Sequence, residues 1–143
     1  MTMVFERHGL HIDGLVFLSP REAAAFLAQD AVLVDLRDGL ERNGREFDVG
    51  NVVLMTAAEL AEGFASLPRD RPIILADCVG LGSKKAQRFL LEQGYTDVAS
   101  LNGGMVDWER DGLPTRIDRN EELSGGCACR LRPGGMTRSR SGC

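Results

Sequence analysis

No stretch of the 143 residues approaches the roughly 18 consecutive apolar residues of a membrane-spanning helix. The first residues also lack the apolar run of a secretory signal, because Glu6 and Arg7 come early. The expectation is a cytoplasmic chain with no membrane partner. Cysteine is scarce. The four present, Cys78, Cys127, Cys129 and Cys143, are too few for a dense disulfide scaffold at this length. In a reducing compartment such residues serve more often as thiols, ligands or catalysts than as cross-links. Positive charge is not in excess: the net charge is −4 and the isoelectric point about 5.2, which argues against a general nucleic-acid binder. What is there, 43% hydrophobic and 27% charged residues, reads as one globular domain able to bury a core without metal or disulfide staples.

Hydrophobic periods of two and of 3.6 alternate along the chain. Leu15–Leu18 is a short apolar run, followed by Ser19-Pro20-Arg21-Glu22, where Ser19 can cap, Pro20 suits the first helical turn and Glu22 closes a capping box. Ala23, Phe26 and Leu27 then share one helical face. Residues 31–36 look like a buried strand, residues 37–50 like a long loop, and Val52–Leu54 like a weak strand. Thr56-Ala57-Ala58-Glu59 is a second capping box, and Pro68 marks the stop of its helix. Residues 72–76 form the next strand, with a helix bearing Ala86, Phe89 and Leu90 after it. Val98–Leu101 is a strand, and residues 105–111 a short helix carrying Trp108. Strand and helix thus alternate from about residue 15 to 113. This predicts an α/β fold with a central, mostly parallel sheet flanked by helices. The domain is drawn at 15–116, with an N-terminal extension over 1–14 and a Gly/Arg/Cys-rich tail over 117–143.

Residues 124–143 lack acidic and aromatic residues altogether and hold five glycines, four arginines and three of the four cysteines. Their composition predicts a flexible segment. The overall −4 therefore divides into −8 on residues 1–123 and +4 on this tail.

Cys78 is the most informative residue. It follows a buried-type strand, and Val79-Gly80-Leu81-Gly82-Ser83 lies between it and a helix. Ligands of α/β sheets bind outside the carboxyl ends of strands. A glycine-rich turn there can aim backbone N–H groups inward, and the helix adds its positive end. Such a cradle would lower the thiol pKa, with Lys84 and Lys85 helping and Asp77 opposing. The alternative is a buried structural cysteine.

Several segments together are similar to a rhodanese-like domain, the single-domain sulfurtransferase family. They are Asp35-Leu36-Arg37, residues 72–78 running into the cysteine, Gly94-Tyr95-Thr96-Asp97-Val98, Leu101-Asn102-Gly103-Gly104, Trp108 and Gly112-Leu113-Pro114. Their order and spacing carry the resemblance, over roughly residues 15–114. It implies a rhodanese-like three-layer fold and a persulfide on Cys78. Sulfane sulfur would come from a donor such as thiosulfate and pass to a thiol or cyanide acceptor, a protein thiol among them. It further implies that residues Val79, Gly80, Leu81, Gly82, Ser83 and Lys84 bind substrate, with no metal and no cofactor. Ser83 would donate to the persulfide, cap the next helix, or both. Asp35 and Arg37 are read as a structural ion pair beside the site. Phosphatase chemistry is disfavoured, because the residue six beyond Cys78 is Lys84 rather than an arginine fork. The chain departs from the family pattern at Leu81, where glycine is usual, and in the short segment around Phe47-Asp48-Val49-Gly50-Asn51. A non-catalytic interaction module therefore stays as the alternative.

Three further readings concern isolated residues. Cys127 and Cys129 form either a sulfur relay or an inert pair, and with His8 and His11 they offer a weaker zinc alternative. Trp108 reads as a core aromatic whose indole N–H needs a partner. The tail arginines read as solvated charge.

Overall fold

A computed structural model describes residues 4–117. The expectations for the tail, including Cys127 and Cys129, lie outside the described residues. In chain order the elements are β1 (Leu10–Ile12), β2 (Leu15–Leu18), α1 (Pro20–Leu27), β3 (Val32–Asp35), α2 (Gly39–Arg42), β4 (Arg45–Phe47), β5 (Val52–Leu54) and α3 (Ala57–Gly63). A 3-10 turn (Phe64–Ser66) follows, and then β6 (Ile73–Ala76), α4 (Ser83–Glu92), β7 (Val98–Leu101), α5 (Gly104–Arg110) and β8 (Thr115–Ile117).

Six strands form one sheet in the order β1-β2-β7-β6-β3-β5, parallel throughout except for the β1–β2 hairpin. β6 lies inside the sheet, between β7 and β3. Both its faces are covered, so its run Ile73-Ile74-Leu75-Ala76 is apolar at every position rather than at alternate ones. Ile74 and Ala76 join Leu33, Leu101, Met105 and Trp108 in one core, beside α1 and α5. Ile73 and Leu75 join Val34, Leu60, Ala86 and Leu90 in the other, beside α3 and α4. The helices start where the sequence places them. Ser19 and Glu22 exchange hydrogen bonds at α1, and Thr56 and Glu59 do the same at α3.

The loop expected over 37–50 is partly structured. Asp38 and Glu41 close a third capping box on the single turn α2. β4 pairs antiparallel with β8 in a separate two-stranded sheet, placing Phe47 edge-on against Trp108 at 5.3 Å. The Trp108 indole N–H finds its acceptor in the Pro114 carbonyl at 2.9 Å. Residues 4–14 contribute β1 and the buried ring of Phe5 to the same body.

Candidate active site

β6 delivers Asp77 and Cys78 at its carboxyl end, and α4 begins at Ser83. A short loop joins them, and Gly80 within it has φ +92°. Gly80 backs directly onto Gly103, since a Cβ at Gly80 would lie 2.8 Å from the Gly103 nitrogen. Gly104 approaches more closely still: a Cβ there would lie 2.4 Å from the Asp77 carbonyl oxygen. This closeness lets two N–H groups at the start of α5 reach the cysteine's own backbone. Met105 donates to the Asp77 carbonyl at 2.9 Å and Val106 to the Cys78 carbonyl at 3.1 Å. The Asn-Gly-Gly segment thus fixes where Cys78 sits.

Cys78 is a free, partly exposed thiol on a pocket of about 330 Å³. Leu36, Glu41, Ala57, Asp77, Val79, Leu81 and Gly82 complete its wall. Leu81 is 81% exposed at the mouth. Beneath the site, the Arg37 guanidinium forks onto the Asp35 carboxylate, Nε to Oδ1 at 2.9 Å and Nη2 to Oδ2 at 2.7 Å. Both side chains are sealed from solvent. Arg37 also donates to the Arg45 carbonyl and lies over the Phe47 ring at 5.2 Å.

The loop N–H groups do not form an empty cradle. The Asp77 carboxylate accepts from Gly80 at 2.5 Å, from Gly82, and from Ser83 at 3.1 Å. It is therefore the cap of α4, arriving from before the cysteine. The N–H groups of Val79 and Leu81 have no acceptor among the described residues.

Several expectations change. Ser83 is the first residue of α4 rather than its cap, and Gly82, which holds the N-cap position, has no side chain of its own to cap with. Ser83 is also fully buried and absent from the pocket wall, as Gly80 is absent from it; the Ser83 hydroxyl has no hydrogen-bond partner among the described residues. Lys84 is exposed and likewise outside the wall. The Cys78 thiol is shifted upward rather than downward. Burial pushes it up, the Glu41 carboxylate adds to this, Arg37 opposes, and Asp77 and Asp35 push up again. The cation that helps is the buried Arg37, not the two lysines.

Sequence reasoning missed Glu41 in the pocket, the carboxylate cap by Asp77 and the buttress by Gly103 and Gly104. Signals existed for the first two. Asp38-Gly39-Leu40-Glu41 has capping-box spacing, and an Asp before a glycine-rich turn is a ready acceptor for the N–H groups that follow. The two histidines are engaged elsewhere: His8 packs edge-on against Phe26 at 4.9 Å, and a His11 ring nitrogen meets the His8 carbonyl at 2.8 Å. Among the described residues, no three His, Cys, Asp or Glu side chains gather as a metal site.

Comparison with known proteins gives the arrangement a context. The family model described as rhodanese-like domain matches residues 19–111. Thiosulfate sulfurtransferase GlpE of Haemophilus influenzae is 34% identical over 101 residues, covering 68% of this chain and 90% of that protein. The 30 kDa polysulfide-sulfur transferase homodimer from Wolinella succinogenes superposes with a TM-score of 0.63 at 29% identity, over 71% of this chain and 77% of that one. A rhodanese-related protein from Thermoplasma volcanium shares the fold, with a TM-score of 0.62 at 20% identity over 71% of this chain and 97% of that one. The matched span runs from the cap of α1 to the end of α5 and encloses the Cys78 loop together with its glycine buttress. On the family match and the 34% relative, the chain belongs to the rhodanese-like domain family.

Proposed function

We propose that the protein is a rhodanese-type sulfurtransferase with Cys78 as its nucleophile. The observation that carries the reading is a free, accessible thiol at the carboxyl end of a central parallel strand, opening onto its own pocket. The names of the relatives, one acting on thiosulfate and one on polysulfide-sulfur, support the same chemistry. The Cys78 thiolate attacks the outer sulfur of a sulfane donor such as thiosulfate. A new S–S bond forms, the donor's S–S bond breaks, and the leaving group, sulfite in that case, takes the electron pair. A thiolate or cyanide acceptor, a protein thiol included, then attacks the outer sulfur of the persulfide, and the Cys78 thiolate leaves. No cofactor enters either step. In this reading the backbone N–H groups of Val79 and Leu81, residues of the pocket wall whose N–H groups have no acceptor among the described residues, serve the persulfide anion.

Exposure to a sulfane donor should add one sulfur atom to Cys78, read by intact mass with the modified residue located by fragmentation. A folded protein that gains no sulfur from any donor would leave the second reading, a non-catalytic interaction module. The raised thiol and the carboxylate already seated on the loop are the observations in its favour.

A further inference from the structure

The cysteine's pocket carries an unusual charge pattern for a site that is to receive an oxyanion. Among the described residues its wall offers two carboxylates, Asp77 and Glu41, and no lysine or arginine. Arg37 spends both arms of its fork on Asp35 and lies sealed below. The rest of the wall is largely apolar, with Leu36, Ala57, Val79 and Leu81. Three of the loop N–H groups, on Gly80, Gly82 and Ser83, already hold an anion of the protein's own.

Resting on the sulfur-transfer reading above, we infer that Asp77 sets donor choice at Cys78, turning the site away from thiosulfate and toward sulfane sulfur on an uncharged organic carrier, a persulfide R–S–SH. Thiosulfate enters as a dianion and its leaving group, sulfite, is a dianion as well. Both call on the loop's N–H groups, three of which Asp77 occupies, and both meet the field of two carboxylates in the pocket. The organic persulfide reacts in its protonated form R–S–SH, which brings no formal charge, and its anion R–S–S⁻ carries one negative charge against thiosulfate's two. The Cys78 thiolate attacks its outer sulfur, the bond to the inner sulfur breaks, and Cys78–S–SH and the thiolate RS⁻ result, with one negative charge on each side of the step. The apolar wall suits the organic group R, which an inorganic oxyanion has no means to use. Asp77 is in this sense a specificity residue: it acts on the donor through the loop and through its charge, and takes no part in the bond exchange.

Rates of sulfur loading on Cys78, measured by intact mass, provide the test. The donors are thiosulfate and the persulfide of N-acetylcysteine methyl ester, compared in the wild type, Asp77→Asn and Asp77→Ser. The wild type should load faster from the persulfide. In both variants the ratio of thiosulfate to persulfide loading should rise at least 10-fold, equivalent to about 1.4 kcal/mol, chiefly through a lower KM for thiosulfate. Added salt should speed thiosulfate loading of the wild type and do so less in Asp77→Asn, a difference that a merely structural role for Asp77 would not produce. Two folded variants, verified by thermal unfolding, with an unchanged donor ratio would overturn the inference while leaving sulfur transfer intact. Failure of the wild type to load from both donors would remove the sulfur-transfer reading, and the inference with it.

Discussion

Replacing Gly104 by alanine tests the claim that the Asn-Gly-Gly segment fixes the cysteine. Gly104 has φ +61°, a left-handed conformation in which a Cβ costs roughly 1–2 kcal/mol. The added Cβ would also lie 2.4 Å from the Asp77 carbonyl oxygen and 2.6 Å from the Cys78 carbonyl carbon and oxygen. These are backbone atoms of the two residues that follow β6 and cannot swing aside as a side chain would. Relief requires α5 and the strand end to separate by about 1 Å to reach ordinary van der Waals contact. That movement breaks the bonds from Met105 and Val106 to the same two carbonyls, each worth about 1 kcal/mol net. The expected loss is thus about 3–4 kcal/mol, a large share of the 5–15 kcal/mol typical of a domain, roughly. Gly112→Ala is the control. Its φ is +75° but, its two chain neighbours aside, no heavy atom of the described residues lies within 4 Å of its Cβ, so it should lose only the conformational part. Urea unfolding is followed by the fluorescence of Trp108, the sole tryptophan, and the rate of Cys78 alkylation is measured in native buffer. Gly104→Ala should unfold at markedly lower urea than Gly112→Ala and should change Cys78 reactivity, which Gly112→Ala should not. Equal stability of the two variants would refute the buttress.

Arg37→Met removes the partner of a carboxylate with no solvent access, and should cost about 3–5 kcal/mol by denaturant unfolding; the double variant Asp35→Asn/Arg37→Met should recover part of it. Alkylation of Cys78 should show a thiol pKa above the ordinary cysteine value, and Glu41→Gln should move the midpoint to lower pH because it removes a charge that raises it. Because the folded thiol is the weaker acid, wild-type stability is fully present below the unfolded thiol's pKa and falls as pH rises through the folded value, a dependence that Cys78→Ser should lose. Tyr95→Phe removes a hydroxyl that reaches the Phe64 and Leu67 carbonyls at 2.8 and 2.9 Å, and should cost about 1 kcal/mol in the same unfolding assay.

What was readable in the sequence is local in origin. Ser19 with Glu22 and Thr56 with Glu59 declare their helices within four residues. The apolar run of β6, and that of β3 up to its final Asp35, declare strands covered on both faces. β4 and β8 are different, because they are three residues each, partly exposed, and exist through pairing across some 70 positions: Arg45 with Ile117, Phe47 with Thr115. No window of sequence contains that partnership. The site follows the same division. Cys78 is visible because a strand, a turn and a helix start lie side by side in the chain. Glu41 reaches the pocket only after the chain has turned back from β3, and Gly104 reaches Asp77 from the far side of β7. The direction of the thiol shift rests first on burial and then on the reach of Glu41, with Asp77 adding less, and residue order alone carries none of these.

The carboxylate that caps α4 has a consequence for redesign. A loop with three of its N–H groups answered by its own Asp77 is held in shape by the chain itself. Its frame and its recognition surface are therefore separable parts. Leu81 stands 81% exposed and lends no side chain to that frame, so it can be exchanged for lysine, or for a bulkier apolar residue, with the hydrogen bonds beneath it kept. The position offers a place to graft new donor preferences onto a cysteine whose support stays constant.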